Sequence, residues 1–534
     1  MITQHNQPGI TGKNAAGNLC RNFLMGLCTA LMLFVFAPQK IVANNIAIAN
    51  ITLTGQNTVS DFTLAQFDLS WENSWRTSTL ESNWDAAWVF IKFRKKGAIY
   101  NWTHATLNTT GHTAPAGSTI TTPTDGKGVF IYRSADGTGN VNFTGAQLRW
   151  NYGVDGIADA DSVEICVFAI EMVYVPTGTF YLGDGTFTNI QGQFSRADNT
   201  TIPFTISSEG AQTLGGTVAA NIGNNNRVGQ QAAPYQDDFN NTTTVALAPG
   251  FPKGYNKFYC MKYEITHGQW VDFLNKITSP QEVNRTNNIA LYRQNIAGVW
   301  PNHTTTVPYR ALGYMSFADV AAYLDWAALR PMTEFEYEKS CRGTLPVLAD
   351  EWASGKATTS QVAVTCAALT NDGLTNEVPA NTNSNIRFNC TSATTSLRGP
   401  IRVGSFARVG TLTRDTTGAS YYGIMELSGN VWETVVTVGN TDGRGYTGIH
   451  GNGGLTVDGY ADATLWPTSL NTTWIPMGWG LRGGDAYNSA IYTRVSSRYH
   501  VGESGTNPTP TQTRPYNGSP STFFQGGRGV RTAP

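Results

Sequence analysis

The residues best equipped for chemistry in this chain are its cysteines and histidines, and their placement argues against the reactions they usually run. Seven cysteines occur, and none follows Cys390. A thiolate is both the nucleophile and the soft-metal ligand, so a Cu(I) centre in the C-terminal stretch has no sulfur to build on. His267, His303, His450 and His500 are widely scattered. No histidine pair stands at helical or strand spacing beside a carboxylate, the set that non-haem iron requires. His267 falls in the first turn of an expected helix and reads as a surface residue. No Gly-X-Ser-X-Gly elbow, phosphate loop or zinc spacing is found. Neither a copper nor an iron site is recognised.

Two motifs carry more promise. Gly429-Asn430-Val431-Trp432-Glu433 sets an amide and a carboxylate in a tight glycine turn. Hard oxygen ligands of that kind suit Ca²⁺, with Asn430 and Glu433 as the side-chain ligands, although the ion needs six or more oxygens. The plain alternative is a turn in which Asn430 caps the backbone and Trp432 fills the core. The second motif is the stretch holding Tyr487, Asn488, Ser489, Tyr492, Ser497, Tyr499 and His500. Tyrosine gives large contact area at little entropic cost, and Ser and Asn adapt their hydrogen bonds, so this content suits a ligand-binding surface. Asn, Ser and Tyr are also common in the other loops of the chain, which tempers that reading.

These motifs sit in a chain of ordered blocks. Met172-Val-Tyr-Val-Pro-Thr-Gly-Thr-Phe-Tyr-Leu-Gly183 reads as an opening strand, and Phe258 to Asn275 as a strand running into a helix. Thr266 and Gln269 have capping-box spacing, followed by an apolar stripe of Trp270, Phe273 and Leu274. A second helix is expected from Ser316, and a third after Thr333 and Glu336, ended by Gly343. Tyr422-Gly-Ile-Met-Glu-Leu-Ser-Gly-Asn-Val-Trp-Glu433, Leu481-Arg-Gly-Gly-Asp485 and Gly526-Gly-Arg-Gly-Val-Arg531 close the series.

Taken in order, these blocks resemble the formylglycine-generating enzyme (sulfatase-modifying factor) family, whose fold is a divergent C-type lectin fold. The resemblance implies an α+β domain over 172–534, with insertions near 185–255 and 344–395. It also implies an oxidase using two cysteines just after the Arg-Gly-Gly block. Here that region reads Asp485-Ala-Tyr-Asn-Ser-Ala-Ile-Tyr-Thr-Arg-Val-Ser-Ser-Arg498, with hydroxyls and an amide in place of thiols. Arg482, Arg494, Arg498, Arg528 and Arg531 match arginines of the family's C-terminal blocks and are expected to pin loops together. The tail also resembles the variable region of retroelement-diversified proteins built on this scaffold.

Upstream, 44–171 reads as a β-sandwich. Trp88 to Phe93, Val129 to Tyr132 and Val163 to Ala169 are short β-rich runs between turn clusters. Trp71, Trp75, Trp84, Trp88, Trp102 and Trp150 are expected to pack in its core and along its edges. Asp155, Asp159 and Asp161 read as turn caps.

Lys13 and Arg21 precede an apolar run from Phe23 to Ala37, and Ile41-Val-Ala43 offers a cleavage site. Residues 1–43 thus read as a signal peptide, with cleavage near Ala43 and a secreted or cell-envelope destination. Nothing later is expected to span a membrane. The formal net charge is −1, without a block of like charge, so no nucleic-acid partner is expected. Of the five cysteines beyond the leader, Cys366 and Cys390 are the expected disulfide, and Cys260 and Cys341 plain buried thiols. The expected function is a secreted, non-catalytic binding protein for an extracellular protein or glycan. The alternatives are a formylglycine-generating oxidase or another enzyme in the same pocket, and a structural envelope component.

Overall fold

The computed structural model describes residues 45–98, 102–186, 192–224, 237–285, 292–356, 369–392, 394, 397–408, 413–467, 478–501 and 524–534. The expected signal peptide and Cys366 lie outside these residues.

The N-terminal strands used below are β1 (Ala47–Asn57), β2 (Phe62–Arg76), β3 (Asp85–Lys95), β4 (Ser118–Thr121), β5 (Val129–Arg133), β6 (Gly137–Trp150) and β7 (Val163–Val175). One antiparallel sheet has the order β1-β2-β6, and a second contains β4, β5, β3 and β7. Alternate residues of a strand point to opposite faces. Ala87, Val89, Ile91 and Phe93 of β3 accordingly meet Ala65, Phe67, Leu69 and Trp71 of β2 in the sandwich core. The other face of β3 is covered too, by a separate core that takes Ala86, Trp88 and Phe90. A strand buried on both sides reads as an unbroken apolar run, which is what Trp88 to Phe93 is. Trp71, Trp88 and Trp150 are fully buried. Asp155 accepts from the Thr106 N–H at 2.8 Å and the Trp150 indole at 2.6 Å, so it ties separate segments together and does not cap its own turn as expected.

The layer on the far face of β3 comes from the C-terminal half. Its strands are β8 (Phe258–Met261), β9 (Arg330–Thr333), β10 (Trp432–Val436), β11 (Trp479–Arg482) and β12 (Gly529–Thr532), and its main helices α1 (His267–Leu274), α2 (Phe317–Trp326) and α3 (Glu334–Arg342). The sheet runs β11-β10-β9-β12-β8-β7-β3-β5-β4, with β9 and β10 parallel. Strand β7 serves both halves: Val163–Val173 pairs with β3, and Met172–Val175 pairs with β8. Residues 171 and 172, taken from the sequence as the junction, therefore lie inside one strand. Trp270 and Phe273 of α1, with Tyr323 and Trp326 of α2, share a core with Trp88 and Phe90. Side-chain bonds reinforce the join: the Trp88 indole donates to the Ala327 carbonyl at 2.9 Å, and Lys262 pairs with Glu171 at 2.7 Å. The whole is α+β, mostly strand.

All three helices begin where the sequence reading places them. Thr266 and Gln269, Ser316 and Asp319, and Thr333 and Glu336 each exchange side-chain and backbone bonds. Gly343 ends α3 at φ +65°, where a Cβ would meet the Tyr421 ring at 2.0 Å. Parts of the long polar segment 185–255 fold into short strands, and Phe194, Ile206, Leu214, Ile222 and Leu247 enter the main core. His267 departs from its expected place at the surface: it is fully buried, with Nδ1 2.9 Å from the Arg310 carbonyl. Burial draws its imidazole down to about 4.

Candidate functional site

The expected ligand-binding stretch follows β11 directly, so what holds β11 holds the stretch. Glu334 and Glu338 lie one helical turn apart on α3 and point into the protein. Arg482, at the end of β11, bonds Glu334 at 3.1 Å and Glu338 at 2.6 Å. Arg498 bonds Glu334 at 2.7 Å and Asp237 at 2.7 and 2.9 Å, and stacks over Phe194. None of these Arg482, Arg498, Glu334 and Glu338 side chains is exposed. Burial pushes the Glu334 carboxyl up, but the two guanidiniums outweigh it and hold it below its ordinary value. Arg342 joins the lattice through Glu351 and Glu338.

Between these anchors the chain makes one loop and a short 3₁₀ turn, Ala490–Thr493. Gly483 and Gly484 take positive φ. Asp485 then accepts the N–H groups of Tyr487 and Asn488 at 2.8 and 2.7 Å and the Asn488 amide at 2.9 Å. Thr493 accepts from the Trp352 indole, and Arg494 stacks on the same ring. The five C-terminal arginines all act inside the protein: Arg494 donates to the Asp350 carbonyl at 2.7 Å, Arg528 pairs with Glu433, and Arg531 with Asp125.

Burial raises the Asp485 carboxyl to about 7. Below about pH 4 folded and unfolded chains both hold this proton. Between about 4 and 7 the unfolded chain releases it and the folded chain keeps it, so the group's stabilising contribution is lost as pH rises through 7. Wild-type stability is therefore expected to fall relative to Asp485→Asn by about 4 kcal/mol between pH 4 and pH 8. Urea titrations of both proteins at the two pH values test this; parallel behaviour would show that Asp485 is ionised throughout.

The structure divides the expected binding residues. Tyr492, Tyr499 and His500 meet in one aromatic group with Trp432, with Tyr492 and Tyr499 rings 4.7 Å apart and the His500 and Trp432 rings 4.7 Å apart. Tyr487 stands elsewhere, beside Phe524 and under the Arg398 guanidinium. Asn488 is occupied with Asp485, and Ser489 is exposed ahead of the 3₁₀ turn. Ser497 and His500 are buried, which corrects their expected place on an open surface. They fall behind the half-buried Tyr492 and Tyr499 because Arg498, between them, is drawn inward by its carboxylates.

The calcium expectation meets a different environment. Gly429 and Asn430 both take positive φ, and a Cβ at Gly429 would meet the Arg387 carbonyl at 2.3 Å. Asn430 Oδ1 accepts the Ile401 N–H at 2.9 Å, and its backbone carbonyl accepts from Ala486 at 3.0 Å. Glu433 faces a cation already, the Arg528 guanidinium, whose Nε donates at 2.7 Å. Asn430 Oδ1 is taken by the Ile401 N–H, and one Glu433 oxygen faces a resident guanidinium while the other has no hydrogen-bond partner; two side-chain oxygens beside an arginine do not fit an ion that needs six or more. The Asn430 turn and the buried Trp432 match the plain alternative.

The described thiols are not activated. Cys260 and Cys341 are buried in one apolar cluster, where burial raises Cys260 to about 12 and Cys341 higher still. Cys166 is half-buried and also raised by burial. Cys390 is disulfide-bonded; the expected partner, Cys366, lies outside the described residues. Among the described residues, no three His, Cys, Asp or Glu side chains are grouped to hold a metal. Sequence reasoning missed the partners Glu334, Glu338 and Asp237. The pair of acids one turn apart on α3 was the available signal.

No curated protein matches the chain. The model of the Sulfatase-modifying factor enzyme 1-like domain matches residues 165–508, beginning within β7. That match spans more than half of the sequence and takes in α1 to α3, β10, β11 and the loop after them; the chain belongs to the sulfatase-modifying factor (formylglycine-generating enzyme) family.

Proposed function

We propose that this protein is a secreted binding protein that uses the family's scaffold for display and not for oxidation. The observation that carries this reading is the loop after Arg482-Gly-Gly. It has no cysteine, and there Tyr492 packs against Trp432 and Tyr499 against Tyr492, on a base of buried ion pairs. A rigid base lowers the entropy lost on binding, and Tyr492 and Tyr499, with the exposed Ser489 in the same loop, supply contact area and an adaptable hydroxyl. The ligand is an extracellular protein or glycan. Residues 1–43 direct export, and no helix among the described residues is long and apolar enough to cross a membrane. Sequence diversification by a neighbouring retroelement would act on this same loop.

Arrays of proteins and glycans probed with the chain from residue 44 test the reading. Tyr492→Ala with Tyr499→Ala is expected to weaken the ligand found by about 30-fold or more, the effect of losing an aromatic hot spot. The urea midpoint should stay close to wild type. Unchanged affinity would overturn the assignment of the surface. Copper-dependent oxidation of a Cys-X-Pro-X-Arg peptide would overturn the non-catalytic reading.

A further inference from the structure

Strand β7 is paired along both edges only at its C-terminal end. Its ladder with β3 is unbroken from Val163 to Val173, whereas β8 covers only Met172 to Val175. Two bonds fix which groups face which edge. The Tyr174 N–H donates to the Trp84 carbonyl on the β3 side at 2.9 Å, and the Glu171 carbonyl accepts the Lys262 N–H on the β8 side at 2.9 Å. Successive residues of an antiparallel strand alternate between its edges, so Ile165, Val167 and Ala169 face the same way as Glu171. Among the described residues, their N–H and C=O groups have no partner.

A cavity of about 670 Å³ runs along this open edge. Eight consecutive residues, Val163 to Ile170, line it, which places it on the edge of the strand, because a cavity on one face would meet only every second side chain. Ile48 and Ile51 of β1 form one wall, on the sandwich side, and Tyr323 and Trp326 of α2 the other. Three charged residues line the slot. Glu164 is paired with Arg94, and Lys276 stands over the Trp102 ring at 5.1 Å. Asp272 of α1 is half-buried and forms no hydrogen bond or close ion pair among the described residues, and burial raises its carboxyl.

We propose that this slot receives an extended peptide of another protein as an added strand on β7, with apolar residues at alternate positions against Ile48 and Ile51 and a lysine or arginine on its other side against Asp272. Three outward residues on β7 match a strand of about five or six residues. Main-chain bonds to them supply affinity and the two unlike walls supply selection, as where other peptides join a sheet edge.

The test uses the full exported chain and a fluorescein-labelled, amidated peptide, Thr-Val-Lys-Val-Thr-Val, followed by anisotropy. It should bind about 10-fold or more tightly than the same peptide with glutamate for lysine. Two further peptides are N-methylated, one on the valine amides and one on the others. Whichever blocks the edge that meets β7 should lose about 10-fold or more. Asp272→Lys should reverse the preference between lysine and glutamate; should that variant not fold, Asp272→Asn should abolish it. Bound peptide should slow alkylation of Cys166, which lines the slot. Failure of every peptide to bind, indifference to the charge at Asp272, tolerance of both N-methylations, or a wild-type dimer that already shields Cys166 would each overturn the proposal.

Discussion

Arg498→Met is expected to lower the unfolding free energy by about 3–5 kcal/mol, the range for removing one partner of a buried ion pair. The loss comes from what is left behind. Among the described residues Asp237 keeps the Asn224 amide at 2.8 Å, and Glu334 keeps Arg482 but loses two of its bonds. The Arg498 bond to the Gly192 carbonyl is lost as well. Urea denaturation read by tryptophan fluorescence gives the number. Adding Asp237→Asn should return part of the loss, since it removes the charge left unpaired. A single-variant loss below about 1 kcal/mol would mean that water reaches these groups. The same variant should weaken ligand binding, because Tyr499 and His500 follow Arg498 directly in the chain.

Trp88→Ala should cost about 3–5 kcal/mol, as large-to-small changes of buried aromatics do. Its ring lies against Phe130 and under the Arg531 guanidinium, and its indole donates across to Ala327. The more telling expectation concerns shape. If β7 couples the halves, the variant should still unfold in one transition, shifted as a whole. Two separated transitions in calorimetry, with only one moved, would show that the halves melt alone.

What could be read from the sequence was the local part. The capping boxes at Thr266 and Thr333 were legible because donor and acceptor lie three residues apart, so no tertiary knowledge is needed; the helix from Ser316 was read from its apolar period, and its box with Asp319 is a finding of the structure. The scaffold role of Arg482, Arg498 and Arg528 was legible too, but not the carboxylates they meet. Those lie far along the chain, and no periodicity links Arg498 to Asp237. The run Trp88 to Phe93 announced a buried strand without saying what covers its second face. His267 was misplaced for a related reason: polarity in a first helical turn usually means solvent, and the Arg310 carbonyl that helps make burial tolerable comes from another segment. The candidate calcium turn was read from five residues. Its charge balance is settled by Arg528, which reaches it from the end of the chain.

Strand β7 has a mechanical consequence. A protein held at its N-terminal sandwich and gripped at the Tyr492–Tyr499 face would carry any pull through one continuous backbone, loaded in shear along its ladders to β3 and β8. Such ladders must break many hydrogen bonds together and not one after another. The seam between the halves is then a tendon where a two-module protein would ordinarily have a hinge.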